Sequence, residues 1–233
     1  MKKFLTAEWR DLVMVNYEVD PSRLEARVPN GTELDLQDGK CFVSLVGFMF
    51  LDTRVRDFLI PFHVNFEEVN LRFYVKRATK TEVRRGVVFI KEFVPRAAIA
   101  FAARALYDEP YEAVKMLNKW DTGKVKYWWA KGKSVNAIKV SRGEKLGVPE
   151  PGSHEEFIIE HYWGYTKRSK NRTDEYKVEH PKWELYKTRH PKVCVNFSVC
   201  YGSEFAFLRR QKPYSVLLAK GSEVSVYKGE KIV

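Results

Sequence analysis

Hydrophobic and polar residues alternate strictly along residues 66–75, FEEVNLRFYV. The apolar positions of one side are Val69, Leu71, Phe73 and Val75. The polar side carries Glu68, Asn70, Arg72 and Tyr74. Successive side chains of a β-strand point to opposite faces, so the pattern predicts a strand with one apolar and one polar face. The polar row either lines a ligand cavity or faces solvent, and spacing alone leaves both alternatives open.

Other segments have the composition of buried strands. KCFVSLVGFMFL at 40–51 and GVVFIKEFV at 86–94 are almost continuously apolar, which is typical of strands covered on both faces. The second half of the chain is predicted to consist mostly of strands, namely KVKYWWAKG, SVNAIKVS, YWGYTKR, EYKVEH, VCVNFSVC, YSVLLAK and SEVSVYKGEKIV. The chain is therefore expected to be rich in β-sheet.

Helical patterns are fewer. PSRLEARV after Asp20 predicts a short helical turn, and the alanine-rich residues 95–107 predict a helix buried nearly all round. Pro110 stands where an N1 proline belongs, which predicts a second short helix over YEAVKML. Ser153 and Glu156 form an S-x-x-E capping pattern ahead of a helix in FIIEHY.

No linker or repeat divides the sequence, so a single domain over residues 1–233 is expected. Many strands with a few helices near the middle of the chain predict an α+β fold built on a curved sheet or a closed barrel.

The charge is strongly positive, with 41 Lys and Arg against 30 Asp and Glu, a formal net charge of +11. It is densest in residues 165–192, where a basic loop or edge is the default interpretation and an anion-binding or nucleic-acid-binding face is the alternative. Three cysteines at uninformative spacings argue against a disulfide framework. The sequence shows neither a signal peptide nor a long apolar span, which predicts a cytoplasmic protein without a membrane segment.

Lys91 and Glu92 follow four apolar residues. A desolvated lysine has a lowered pKa and can form a Schiff base with a carbonyl substrate. The alternative is a strand end at which Lys91 reaches solvent along its aliphatic stem.

His180, His190, Cys194 and Cys200 suggest zinc, because the two cysteines would share a strand face. Their spacing fits no structural zinc motif, so no metal and no cofactor are expected. The six tryptophans could stack bases or sugars, but aromatic residues on strands are more often core. Without a nucleic-acid signature motif, nucleic acid is a disfavoured partner.

The order of several segments resembles the YqjF-like family, an uncharacterised group of the acetoacetate decarboxylase-like superfamily. Trp9 is followed by NYEVDPSRLEARVPNGTELDLQDGKCFVSLVGFMF and VNFEEVNLRFYV. The later segments that continue the resemblance are PYEAVKM, YWWAKGK, EEFIIEHYWGYT and HPKWEL. The resemblance covers essentially the whole chain.

This resemblance implies a mainly antiparallel, cone-like acetoacetate decarboxylase-like β-barrel with flanking helices, and a buried cavity that Glu68, Asn70 and Arg72 would face. Decarboxylases of the superfamily carry a Gly-Arg-Glu motif and, shortly after it, a Gly-aromatic-Pro-Lys-Lys stretch whose lysine forms the Schiff base. Arg104 matches the motif arginine, but Ala105 stands where the glutamate belongs.

Tyr111 and Glu112 follow Pro110 where the two lysines belong. The Schiff-base lysine is therefore missing from its expected place. Lys115 lies one helical turn from Tyr111 and could approach the same face only along a different backbone path.

The function expected from these observations is binding of a small organic molecule that bears a carboxylate. The expected ligand-binding residues are Glu68, Asn70, Arg72, Arg104, Tyr111, His180 and Trp183. Whether a reaction is catalysed stays open, with Lys91, Glu92 and Lys115 as the candidate catalytic residues. The alternatives are a decarboxylase or aldolase-like enzyme that uses Lys91 or Lys115, and anion or nucleic-acid binding through residues 165–192. An exposed sheet edge leaves a homodimer or other homo-oligomer open.

Overall fold

The structure is a computed structural model of the whole chain. It describes residues 2–59, 63–100, 109–121, 123–169 and 171–233.

Long, paired strands dominate the fold. The strands of the described residues are β1 Lys3–Val19, β2 Glu33–Leu34, β3 Cys41–Val55, β4 Phe58–Leu59, β5 Phe66–Ala78, β6 Val83–Val94, β7 Tyr111–Ala113, β8 Met116–Trp120, β9 Lys124–Lys131, β10 Ser134–Gly147, β11 Trp163–Ser169, β12 Arg172–Glu179, β13 Leu185–Cys194, β14 Ser215–Tyr227 and β15 Glu230–Lys231. All belong to one sheet, in which only the β6–β11 and β6–β7 pairs are parallel. The predicted α+β fold with a mainly antiparallel sheet is confirmed.

Helices are short. The α-helices with described bounds are α1 His154–Ile159 and α2 Phe197–Tyr201. The 3-10 helices are Pro21–Arg23, Glu25–Arg27 and Ser203–Arg209. Helix α1 begins where the capping pattern predicts, since Ser153 Oγ accepts the Glu156 backbone N–H at 3.1 Å. Of the helix predicted over 95–107, residues 97–100 are helical and residues 101–108 lie outside the described part.

Seven strands close into a ring. Neighbours around the ring are β1, β3, β5, β6, β11, β12 and β14, and β14 pairs with β1 to complete it. Two junctions are short: β6–β11 consists of the pairs Trp163–Gly86 and Gly164–Val87. The β12–β14 junction likewise has two pairs, Val178–Val226 and Glu179–Ser225. Beyond β14 the sheet continues as β13, β10, β9 and β8.

Two hydrophobic cores flank the ring strands. One core joins Leu45 and Leu71 of the ring to Tyr127, Trp129 and Ile138 of β9 and β10. The other contains apolar residues of β1, β3, β5, β6 and β14 together with α1. The ring strands are thus covered on one face by the β8–β10 layer and enclose a second apolar space on the other.

The alternation in residues 66–75 is observed. Val69, Leu71, Phe73 and Val75 are 0% exposed and belong to the first core. Their neighbours Glu68, Asn70 and Arg72 line a cavity on the opposite face. The polar row therefore faces inward.

The helix predicted over YEAVKML is wrong. Residues Tyr111–Ala113 form β7, parallel to β6, and Met116 begins β8. Pro110 does not start a helix, because its carbonyl accepts the Glu92 N–H at 3.2 Å and leads the chain along the edge of β6. Pairing with a preformed strand outweighs the weak propensity of a short helix.

The strand predicted over VCVNFSVC is also wrong beyond Cys194. Asn196 caps helix α2 by accepting the Val199 N–H at 3.3 Å, so Cys200 lies on a helix. Cys194 and Cys200 therefore do not share a strand face, which removes the geometric basis of the zinc interpretation.

No helix among the described residues is both long and apolar enough to cross a membrane.

Candidate functional site

A cavity of about 220 Å³ lies inside the strand ring. Every ring strand contributes to its lining, as do β7 and the helical residues 97–100. Apolar side chains make up most of the wall, including Leu5, Trp9, Phe48, Phe50, Phe66 and Phe89. Such a wall suits the apolar part of a small organic molecule.

Polar side chains also reach this cavity, and most are buried. They include Glu68, Asn70, Arg72, Glu92, Glu109, Tyr111 and His161. Among them Glu68, Asn70, Glu92, Glu109 and His161 are all 8% exposed or less. Burying so many polar groups costs free energy unless each finds a partner.

Glu68 is the centre of a hydrogen-bond network. Asn70 Nδ2 donates to Glu68 Oε1 at 2.9 Å, and Tyr111 Oη donates to Glu68 Oε2 at 2.8 Å. Burial raises the pKa of the Glu68 carboxyl, and the hydrogen bonds from Asn70 and Tyr111 oppose that shift. Tyr111 reaches Glu68 because β7 runs beside β6, with Tyr111 opposite Glu92.

Glu92 lies beside this network, opposite Asn70 in the strand register. Burial, followed by the charges of Glu68 and Glu109, raises its pKa well above the usual range. The raised pKa favours the protonated form of Glu92. A neutral carboxylic acid in this position can donate a hydrogen bond or a proton.

Glu109 adds a third buried carboxyl. Its Oε1 accepts the Thr166 hydroxyl at 2.7 Å. Burial raises its pKa to about 8, against the hydrogen bonds from Thr166 and Tyr176. Glu109 is not predicted from the sequence, because it stands just before Pro110 in no recognisable pattern.

Arg72 supplies positive charge to the cavity. Its Nη2 donates to the Ile158 carbonyl at 3.3 Å, and its guanidinium lies 5.6 Å from the centre of the Tyr74 ring. Among the residues that the structure describes, no carboxylate forms an ion pair with Arg72. The guanidinium thus remains available for an anion.

His161 and Asp35 form a buried pair at the cavity. His161 Nε2 lies 3.2 Å from Asp35 Oδ2, which also accepts Arg85 Nε at 2.6 Å. Burial lowers the pKa of His161 to about 4, so the ring is neutral at pH 7. Hydrogen bonds from His161 and Arg85 lower the pKa of Asp35 despite its burial, so this carboxylate accepts the Nε2 proton. His161 Nδ1 is left with a free lone pair.

Unsatisfied polar atoms concentrate at this cavity. Across the described residues, twelve buried side-chain polar atoms lack a hydrogen-bond partner. Six of the twelve belong to cavity-lining residues: Trp9 Nε1, Thr53 Oγ1, Asn70 Oδ1, Arg72 Nε, Glu92 Oε1 and His161 Nδ1. Native proteins leave few such atoms, and each one calls for an explanation.

Lysine does not line the cavity anywhere in the described part of the chain. Lys91 lies 3.4 Å from Glu112 Oε2, with a third of its side chain exposed, and Lys131 pairs with the same carboxylate. Lys115 is exposed. Among the residues that the structure does not describe, Lys170 is the only lysine, and it is far along the sequence from residues 101–108.

Two of the predicted ligand-binding residues, Trp183 and His180, do not line the cavity. Trp183 packs against Trp9 with ring centres 6.3 Å apart, and its Nε1 donates to Ser222 Oγ at 2.8 Å. His180 stacks on Trp183 at 4.0 Å, along a surface groove next to Tyr162. Trp183 therefore packs on the outer side of Trp9, a residue of the cavity wall, and His180 packs on Trp183. Arg104, the remaining predicted residue, lies outside the described residues.

Most basic residues of the 165–192 segment form ion pairs. Arg168 and Arg172 both pair with Asp174, at 2.5 and 3.0 Å. Four more of its cations pair as Lys177–Glu179, Lys182–Glu156, Lys187–Glu144 and Arg189–Glu144. The carboxylates of Glu175 and Glu184 pair with cations outside the segment, so these contacts leave its positive excess in place.

Solved structures show which class of fold this is. The acetoacetate decarboxylase of Legionella pneumophila superposes with a TM-score of 0.69 at 14% identity, covering 100% of this chain and 88% of that one. The enduracididine biosynthesis enzyme MppR complexed with pyruvate superposes with a TM-score of 0.67 at 12% identity, covering 99% and 91%. An acetoacetate decarboxylase-like enzyme from Sphingomonas wittichii RW1 gives 0.65 at 12% identity. The fold is acetoacetate decarboxylase-like.

Sequence comparison gives the family. Residues 6–223 match DUF2071, a family described as an uncharacterized conserved protein, and the chain belongs to it. The uncharacterized protein YqjF of Bacillus subtilis strain 168 is 26% identical over 192 residues, which is 81% of this chain and 77% of that protein. The predicted family is confirmed.

Proposed function

We propose that the cavity binds a small organic molecule that bears a carboxylate. The apolar wall would take the carbon skeleton, and Arg72 would pair with the carboxylate. A guanidinium favours this partner because its parallel N–H groups match the two carboxylate oxygens. MppR, which has this fold, has been crystallised with pyruvate, a small carboxylate.

The concentration of unsatisfied polar atoms carries this proposal. Arg72 Nε offers a donor, while Asn70 Oδ1 and His161 Nδ1 offer acceptors. Glu92 Oε1 also lacks a partner and offers a further polar contact. A ligand with oxygen and hydroxyl groups could form hydrogen bonds with several of these atoms at once, and each such bond would contribute to its affinity.

Schiff-base chemistry is not supported by the geometry. Tyr111 occupies the place that a lysine would take according to the family resemblance, and its hydroxyl is committed to Glu68. Lys91 is held by Glu112 away from the lining. Binding, or acid–base chemistry by Glu92 and its neighbours, fits these side chains better than imine formation.

Phenylacetate and its neutral isostere phenylacetamide provide a direct test by thermal shift and calorimetry. We expect the acid to bind more tightly than the amide, because only the acid can form an ion pair with Arg72. Arg72→Gln should remove that preference, whereas Arg209→Gln, a change at an exposed arginine, should keep it. Equal binding of acid and amide, or no binding of the acid, would count against a carboxylate ligand.

Borohydride trapping tests the decarboxylase or aldolase alternative. We expect reduction in the presence of acetoacetate to leave no mass adduct on the protein, since the lining residues described contain no lysine. An adduct mapped by peptide mass spectrometry to Lys91 or Lys115 would reinstate imine chemistry.

A further inference from the structure

Four lysines stand side by side on neighbouring strands. In the strand register Lys119 of β8 lies opposite Lys126 of β9, and Lys126 lies opposite Lys139 of β10. Lys139 in turn lies opposite Lys192 of β13. Adjacent strands are about 4.8 Å apart, so the row is about 14 Å long.

All four point away from the protein core. Val125, Tyr127, Ile138 and Val140 are fully buried in the first hydrophobic core. Lys126 and Lys139 alternate with these residues along β9 and β10, so their side chains lie on the opposite, outer face. Lys119 and Lys192 share that face through the register and are exposed.

This row is not neutralised. Within the described part of the chain, none of the four ammonium groups forms an ion pair. Lys126 Nζ instead lies 3.6 Å from the centre of the Trp128 ring. The nearby Asp121 uses its Oδ1 to accept the backbone N–H groups of Gly123 and Lys124, and its carboxylate attracts Lys119 without forming an ion pair with it. Like charges directly opposite each other destabilise a sheet, so four in a row call for an external anion.

An aromatic and aliphatic row runs parallel to the lysines, two residues further along each strand. Leu117 pairs with Trp128, Trp128 pairs with Ala137, and Ala137 pairs with Cys194. Leu117 is 59% exposed. The two rows are about 7 Å apart, from the rise of two strand residues. A charged row beside a row with an aromatic side chain is how sheets and grooves hold the backbone and bases of single strands.

We propose that this outer face of β8, β9, β10 and β13 binds single-stranded nucleic acid, with phosphates along Lys119, Lys126, Lys139 and Lys192 and a base against Trp128. The row places four lysines without ion pairs on neighbouring strands. The sequence pattern does not reveal it, because the lysines are scattered over 74 positions and meet only through strand pairing.

Fluorescence anisotropy of the full chain with a short fluorescein-labelled oligothymidylate tests the proposal. Four phosphate contacts predict that log K falls against log salt concentration with a slope of about −3. The double variant Lys126→Gln/Lys139→Gln should reduce the slope to about −1.4 and weaken binding about 25-fold at 0.1 M salt.

Two control variants distinguish binding at this row from nonspecific attraction to a positively charged protein. Lys80→Gln/Lys228→Gln removes the same charge from exposed lysines elsewhere and should leave slope and affinity unchanged. Lys126→Arg/Lys139→Arg should retain binding. A slope near zero, an equal loss in the control variant, or binding to anionic phosphatidylglycerol vesicles without binding to the oligonucleotide would overturn the proposal.

Discussion

At the scale of single residues, Tyr111 provides one of the two hydrogen bonds that hold the Glu68 carboxyl. Tyr111→Phe removes only the hydroxyl, and it leaves a buried carboxyl oxygen without its donor. We expect the variant to lose about 1–2 kcal/mol of unfolding free energy. Urea denaturation monitored by tryptophan fluorescence measures this loss.

Tyr201 provides a matched control. Its buried hydroxyl has no hydrogen-bond partner within the described residues. Tyr201→Phe removes an unsatisfied polar atom, so its stability should equal or exceed that of the unchanged protein. Equal losses in the two variants would show that the Tyr111–Glu68 bond has no special energetic role.

Glu109 should make the stability dependent on pH. Its pKa is about 8 in the folded protein, against a usual value of 4.5, so the folded state binds more protons between these values. Its contribution to stability is therefore greatest below about pH 4.5 and is lost as the pH rises to about 8, by at most about 1.4 kcal/mol per unit. Above that value the loss is complete.

Glu109→Gln removes this proton linkage while keeping an oxygen that can accept the Thr166 hydroxyl. In urea titrations at pH 5, 6.5 and 8, the variant should gain stability relative to the unchanged protein as the pH rises. The exposed Glu150→Gln variant controls for the lost charge. A stability difference that stays constant with pH would contradict a raised pKa at Glu109.

Several site residues follow from the sequence, and others do not. Glu68, Asn70 and Arg72 occupy one face of an alternating strand. Burial of the apolar residues on the other face turns all three toward the cavity, as the sequence pattern predicts. Asp35, Glu109 and His161 lie outside such a pattern and meet only after the chain folds. His161 follows α1 directly, and its position gives no sign that Asp35, 126 residues earlier, becomes its partner.

At the scale of elements, the β6–β11 junction closes the ring with two residue pairs. A Cβ on Gly86 would lie 2.6 Å from the Trp163 carbonyl oxygen, a backbone atom that cannot turn aside. Gly86→Ala should therefore force β11 away from β6 and cost about 1–3 kcal/mol of unfolding free energy. Chemical denaturation gives the value.

Gly123→Ala is the matched glycine substitution. At Gly123 the nearest atom to an added Cβ is Asp121 Oδ1 at 3.7 Å, which is ordinary contact. We expect this variant to be neutral or slightly more stable, because alanine restricts the unfolded chain. If Gly86→Ala were as harmless, the close approach at the junction would not limit ring closure.

The sequence predicts the wrong secondary structure where contacts with distant strands determine it. The strands at 40–51 and 66–75 are strongly patterned and form as predicted. Pro110 and the residues after it favour a helix locally, but residues 111–113 instead pair with the free edge of β6 and form β7. Asn196 was a readable N-cap signal, and the apolar residues around it favoured a strand instead.

At the scale of the whole molecule, the ring gathers polar groups from distant parts of the chain into one apolar enclosure. Residues from 68 to 161 contribute the buried carboxyls, the imidazole and the guanidinium that line it. The topology also distributes the net charge of +11: most cations of the 165–192 segment form ion pairs, whereas strand pairing brings Lys192 of that segment beside three unpaired lysines of other strands. Composition predicts the total charge, and only the topology determines where it acts.

A crystal structure of the protein as purified tests most directly whether the cavity binds a small carboxylate. The region to inspect lies between Arg72, Glu92 and Tyr111. We expect an ordered small molecule whose carboxylate contacts the Arg72 guanidinium, with oxygen atoms near Asn70 and His161. A cavity filled by the protein's own side chains, or a bound carboxylate that makes no contact with Arg72, would contradict it.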